Sequence, residues 1–330
     1  MQQGILWRPG EPPPTHIPEP TEELPIGRSW AVAKHVLEAC FRELSGRRDV
    51  EVGRVVNLGG GQSRNASAAF VDVPGTEWSD DYIVLVPKRE ADRELNIRSV
   101  KEALLLDWLG RQKLTFRVPR VFALYQAWNY CMVVRETLQG WSSEKPWESP
   151  DVVASLAAAV HNLPVQDAPV LAPHHSTRRA HAEAHFGDVY RNRPELENVH
   201  AWIRSHLPPA EPSRMVHGDL LVHNVLLDMY DKTRPPAIID WEYAMAGDPA
   251  YDLAIVTRGI RIPFGSEDGM QRLLDAYHAA GGAPIAADEV RFYELCMHLR
   301  WYEGSLAGEP GYDSPEQALR LIQNILERCS

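Results

Sequence analysis

Long basic runs are missing from this sequence. Acidic residues outnumber Lys and Arg by 45 to 34, a formal charge of −11, so a polyphosphate backbone has no cationic stripe to meet and nucleic acid is not an expected partner. The same balance favours a cationic small molecule. Cysteine is sparse: Cys40, Cys131, Cys296 and Cys329 lie far apart without CxxC spacing. That pattern excludes a zinc knuckle and a disulfide framework and points to a reducing, cytoplasmic setting. No stretch approaches the roughly 18 consecutive apolar residues of a membrane span. The opening MQQGILWRPGEPPPTHIPEP lacks a basic segment followed by an apolar one, so neither export nor membrane insertion is expected.

What the chain does have is length and a change of texture. Its 330 residues suit about two domains. Residues 1–50 form an N-terminal extension, proline-rich at first, in which SWAVAKHVLEACFREL predicts a helix capped by Ser29. Over 51–140 the runs VGRVVNL, SAAFVDV, YIVLV, RVFALY and YCMVVRE predict a mainly antiparallel sheet, interrupted by one helix at IRSVKEALLLDWLGRQ. From 141 to 330 the periodicity is helical. SPDVVASLAAAVHNL starts it, with Ser149 as cap and Pro150 at the first helical position. TRRAHAEAHFGDVYRN, GMQRLLDAYHAAG, ADEVRFYELCMHLRWYEGSLA and SPEQALRLIQNILERC follow. The predicted fold class is α+β, a small β-rich N-lobe with one main helix and a larger, mainly helical C-lobe.

One stretch carries chemistry. MVHGDLLVHNVLLD sets His217, Asp219, His223 and Asn224 in an apolar run, and AIIDWE later ends a second apolar run on Asp240. Asp-x-x-x-x-Asn followed by an aspartate on the next strand is the spacing used for phosphoryl transfer. Asp219 would accept the proton of an attacking hydroxyl. The amide oxygen of Asn224 and the carboxylate of Asp240 are hard ligands suited to Mg2+ on the triphosphate of ATP or GTP. NVLLD and PAIID would pair across MYDKTRPP as a hairpin. A helix cap at Asp219 beside a satisfied, buried Asn224 is the ordinary alternative.

Upstream, NLGGGQSRNASAAFVDV places Gly59, Gly60 and Gly61, with Ser63, between two strand-like runs. Glycine lets such a turn press its N–H groups against phosphates, although a plain hairpin looks the same. The phosphates also call for a cation oriented by a carboxylate on the following helix. YIVLVPKRE offers Lys88, with Arg89 close behind, and SVKEALLLDWL offers Glu102. Both basic residues follow Pro87, beyond Val84 and Val86 in the regular part of the strand, where such a cation would stand; a solvated surface pair is the alternative.

HGDLLVHN at 217–224, followed by IIDWEYAMAGDPAYDLA at 238–254, resembles the aminoglycoside phosphotransferase family, relatives of choline kinases with a protein-kinase-like bilobal fold. The resemblance runs from about Val52 to the C-terminus. It implies Asp219 as catalytic base, Asn224 and Asp240 as metal ligands, and His217 as loop support. Asp248 and Asp252 would be structural aspartates that bond backbone amides and hold the catalytic loop. VVRETLQG would be a hinge whose backbone at Arg135, Glu136 and Thr137 pairs with the nucleotide base. The family's phosphate cation belongs to a Val-Leu-Arg strand, where this chain has Leu85-Val86, so the resemblance leaves that cation unassigned. It also implies an acceptor pocket lined by the helices that carry Asp275, Glu294, Trp301 and Tyr302. Acidic and aromatic groups there suit a polycationic ligand, and the same spacing also builds ordinary core.

His174, His175, His181 and His185 cluster in a polar segment. With no carboxylate or cysteine motif to complete a metal site, a solvated or substrate-facing helix is the expected reading. The function implied is ATP- and Mg2+-dependent transfer of a γ-phosphoryl group to a small-molecule hydroxyl, an aminoglycoside-type antibiotic first. A macrolide or other antibiotic, or a metabolite such as choline, homoserine or a thiosugar, is the alternative acceptor. A nucleotide-binding pseudokinase is the non-catalytic alternative.

Overall fold

The computed structural model describes residues 5–12, 30–58, 64–87, 93–127, 130–142, 149–169, 174–228 and 230–329. The chain divides into two compact units, 1–140 with 226–242 and 141–225 with 243–330.

The first unit contains β1 (Ile5–Trp7), α1 (Trp30–Ser45), β2 (Glu51–Asn57), β3 (Arg64–Asp72), β4 (Asp80–Pro87), α2 (Arg93–Leu109), β5 (Val121–Ala127) and β6 (Tyr130–Glu136). Its six-stranded sheet has the order β1-β5-β6-β4-β3-β2 with every pair antiparallel. The segment 1–50, expected as an extension, supplies β1 to the sheet edge beside β5 and α1 to the core.

Strand alternation sorts this sheet's side chains by face. Tyr82, Val84 and Val86 of β4, Ala69 and Val71 of β3, and Met132 and Val134 of β6 share one apolar cluster with Val36, Leu37, Cys40 and Phe41 of α1. Burying a side chain the size of Phe41 contributes about 1.5–3 kcal/mol. Residues directly opposite across strands point the same way, so the other face is read from the register. Arg64 lies opposite Pro87, Ala66 opposite Leu85, and Ile83 opposite both Ala68 and Arg135. Helix α2 packs along β4, β5 and β6. Val84 and Val86 therefore belong to the α1 face, and a cation at either would have been buried in apolar core.

The second unit is mainly helical: α3 (Pro150–His161), α4 (Arg178–Val189), α5 (Glu197–Ser205), then β7 (Arg214–Val216), and after the excursion described next β10 (Met245–Gly247), α6 (Pro249–Thr257), α7 (Gly269–Ala279), α8 (Ala287–Leu306) and α9 (Pro315–Leu326). Ser149 caps α3 and Thr177 caps α4 through their side-chain oxygens. Leu253, Leu273, Tyr277, Phe292 and Tyr293 are fully buried among these helices. Among the described residues no helix is long and apolar enough to cross a membrane.

The excursion is the hairpin expected from the sequence, shortened to β8 (Val225–Leu226) against β9 (Ala237–Ile238). The chain enters the first unit at Leu226 and leaves it after Glu242. There the Ile238 N–H donates to the Arg117 carbonyl at 2.9 Å and the Arg117 N–H to the Pro236 carbonyl at 2.8 Å. Trp241 stacks on Phe116 with ring centroids 6.0 Å apart. These contacts position Asp240 within the first unit.

Candidate active site

In the second unit the loop after β7 turns at Gly218, whose φ is +80°. A Cβ there would lie 2.3 Å from the Tyr243 carbonyl oxygen, so both the left-handed backbone and the close approach require glycine. Buried Asp252 of α6 accepts hydrogen bonds from the backbone N–H of His217 at 2.7 Å and of Gly218 at 2.8 Å. Its Oδ2 also lies 3.1 Å from His161 Nε2. Burial pushes the Asp252 carboxyl up, but His161 and His217 outweigh that and hold it below the usual range. The carboxylate thus stays charged while enclosed, as a buried anion with strong donors can.

The next residues close on themselves. The Asp219 N–H donates to His217 Nδ1 at 3.2 Å. Asn224 Nδ2 donates to the Asp219 carbonyl at 2.8 Å and to its Oδ2 at 2.9 Å. A 3-10 turn at Val222–Asn224 makes this possible by bringing residues five apart together. The asparagine fixes both the main chain and the carboxylate of the expected base.

Asp248 does something other than hold that loop. It caps α6 by accepting from the Ala250 N–H, takes Arg178 Nε at 2.9 Å, and gives its own N–H to His181 Nδ1 at 2.9 Å. Arg178 reaches Glu211 and Glu289 as well, so these bonds tie α4, α6 and α8 together. His181 is buried rather than solvated or substrate-facing. Burial first, then His185 and His175, lower its pKa to about 3, and the neutral ring accepts the Asp248 amide. Among the described residues no group of three or more His, Cys, Asp or Glu could hold a metal ion.

The first unit holds buried Glu102 and half-buried Asp240 on one arginine. Arg64 of β3 donates one Nη to Glu102 and the other to Asp240, and its Nε lies 3.7 Å from Glu242. The other oxygen of Glu102 accepts the Trp241 N–H at 3.0 Å. Arg135 stands on the same sheet face, 3.9 Å from Glu102. Burial, and then repulsion from Arg64, pull its guanidinium down to about 10. Asp240 has φ +67°, a left-handed conformation that aspartate tolerates better than most residues and that costs about 1–3 kcal/mol. Arg64 is the residue that the sequence reading passed over: it lies inside the quoted glycine-rich stretch, and only the register shows that it faces α2. Lys88 and Arg89, like Gly59, Gly60, Gly61 and Ser63, lie outside the described residues.

The expected hinge is partly spoken for. The Glu136 N–H donates to the Arg120 carbonyl at 2.8 Å, and its carboxylate accepts the Arg120 N–H at 3.1 Å. Thr137 Oγ1 donates to the Asp81 carbonyl. Each of the four residues expected at an acceptor pocket has a partner within the fold. Glu294 is fully buried and takes the Thr257 hydroxyl, so packing of α8 against α6 removes it from any ligand. Tyr302 is buried with its hydroxyl on Glu195, 3.1 Å away. Trp301 packs edge-on against His298, and exposed Asp275 accepts from Gln271 on its own helix.

Comparison with known proteins places this geometry. The model of the phosphotransferase enzyme family matches residues 60–293. The aminoglycoside 3'-phosphotransferase of Streptomyces fradiae is 28% identical over 237 residues, 65% of this chain and 83% of that protein. Among solved structures, a macrolide 2'-phosphotransferase from Brachybacterium faecium superposes with a TM-score of 0.60 at 19% identity, over 88% of this chain and 98% of that one. A spectinomycin phosphotransferase, solved with ADP and spectinomycin, does so with 0.52 at 12% identity, over 89% and 96%. The shared architecture is the mixed α+β, kinase-like fold.

Proposed function

The chain belongs to the phosphotransferase enzyme family, and from that premise we propose that it moves the γ-phosphoryl group of ATP to a hydroxyl of a small cationic molecule, with aminoglycoside-type antibiotics first. The observation that carries this reading is Asp219 held at main chain and carboxylate by Asn224, on a loop fixed by Asp252. Asp219 takes the proton of the acceptor hydroxyl as its oxygen bonds to the γ-phosphorus, and the bond to the bridging oxygen breaks to release ADP. The transition state is loose, so placement of the reacting groups supplies most of the rate. Asn224 of the second unit would offer an amide oxygen and Asp240 of the first a carboxylate, each of the hard donor type that Mg2+ takes. When bound, that ion offsets charge on the phosphates.

ADP in the spectinomycin phosphotransferase supports nucleotide use. The curated aminoglycoside relative supports the acceptor class, and the macrolide 2'-phosphotransferase likeness makes a macrolide the second reading. The unpaired cysteines, three of them buried, accord with a cytoplasmic site of action. ADP release measured against a panel of aminoglycosides, macrolides and choline assigns the acceptor. Release with macrolides or choline and none with aminoglycosides would move it. Asp219→Ala should lower turnover about 100- to 10,000-fold while ATP affinity persists; turnover near wild type would remove Asp219 as the base.

A further inference from the structure

Resting on the phosphotransferase reading above, the geometry points to Arg64 as the cation that binds the nucleotide phosphates, supplied by β3 in place of the neighbouring strand β4. The face of the sheet toward α2 decides this. On β4 the positions with the right parity are Asp81, Ile83, Leu85 and Pro87, none of them basic. Positive charge on that face comes instead from the flanking strands, as Arg64 on β3 and Arg135 on β6.

Arg64 already has the partners that define such a cation. Phosphoryl-transfer sites of this kind orient it with a carboxylate on the following helix and set it beside the aspartate that binds metal. Glu102 of α2 and Asp240 are those two groups, and Arg64 bonds both. Glu102 has little to offer a second cation, because its other oxygen accepts the Trp241 N–H. With one Nη of Arg64 held by Glu102, the Nη now on Asp240 is the donor that passes to a phosphate oxygen. A guanidinium suits this exchange, since its fixed fork serves two anionic acceptors at once.

Arg135 adds a second positive charge at the same place. Its Nε and Nη1 are buried and make no hydrogen bond. A buried donor left unmade is costly, and an anionic group arriving beside Arg64 would offset that cost.

The test is calorimetric titration of the full chain with ATP, ADP and adenosine, alongside thermal unfolding. Arg64→Met should weaken ATP and ADP binding about 10- to 100-fold, with adenosine affinity unchanged. Arg64→Lys should recover part of the loss. Arg64→Met with Glu102→Gln removes both members of the buried Arg64–Glu102 pair, so it should be more thermally stable than Arg64→Met alone without regaining ATP affinity. The Arg64→Met loss should exceed that of Lys88→Met or Arg89→Met at least severalfold. ATP affinity retained in Arg64→Met, or lost chiefly in Lys88→Met or Arg89→Met, overturns the assignment. A double variant that regains ATP affinity along with stability also overturns it, because the arginine would then be only a support. Wild-type chain with no affinity for ATP would overturn the phosphotransferase reading itself, whereas tight wild-type binding with an indifferent Arg64→Met overturns this inference alone.

Discussion

The two units hold their buried charges in opposite ways. In the second unit Asp252 is fully enclosed, and its oxygens are spent on two backbone N–H groups and His161. In the first, Arg64 bridges buried Glu102 to Asp240, whose side chain is 36% exposed. A carboxylate buried on amides is architecture, because no ligand replaces the backbone it holds. The Arg64–Asp240 pair has one exposed member, so water can take up Asp240 when the pair opens while Arg64 keeps Glu102. One arrangement keeps a loop in place, and the other can exchange partners when a nucleotide arrives.

That contrast can be broken from the architectural side. Asp252→Ala leaves the His217 and Gly218 amides and His161 without their shared acceptor, and should cost about 3–5 kcal/mol. Thermal or denaturant unfolding would show it, together with lost turnover; a fully stable variant would mean that the loop stands without Asp252. Gly218→Ala should follow at about 2–3 kcal/mol, from a left-handed alanine and a Cβ that meets the Tyr243 carbonyl. A crystal structure of that variant with an unshifted loop would contradict the steric account.

The smallest expected effect is a pH dependence. His181 has a folded pKa of about 3 against an ordinary 6.5. Between those values the unfolded chain binds more protons, so stability rises with pH across the window and is lost as acid is added below 6.5. His181→Asn should flatten the slope of melting temperature against pH. It should not abolish it, because His175, His200 and His298 are depressed by burial in the same direction. An unchanged slope would show that His181 is not the group that titrates.

Particular residues show what could be read in advance. The pairing of Asp219 with Asn224 is local, a contact that spans five residues and one short turn. The caps at Ser149 and Thr177 and the hairpin around 225–238 are local in the same sense. Arg64 is not, since its partners lie 38 and 176 residues away. The one available signal was parity: on the face opposite Val84 and Val86, a basic residue of a neighbouring strand had to be sought. Glu294 shows the reverse error. A carboxylate on an amphipathic helix reads as solvent- or ligand-facing, and nothing in its own helix reveals Thr257 on the helix packed against it.

The chemistry of this protein is written in short range. His-Gly-Asp, the asparagine five residues on and the aspartate after the next strand carry the resemblance to phosphotransferases, and the proposed roles in proton acceptance and hard-oxygen coordination depend on residue type and close spacing. Which cation faces Glu102, and which acidic side chains are withdrawn from any ligand, were settled by strand register and helix packing. Those depend on pairings between distant segments, where a shift of one residue turns a side chain from the α2 face of the sheet to the α1 core.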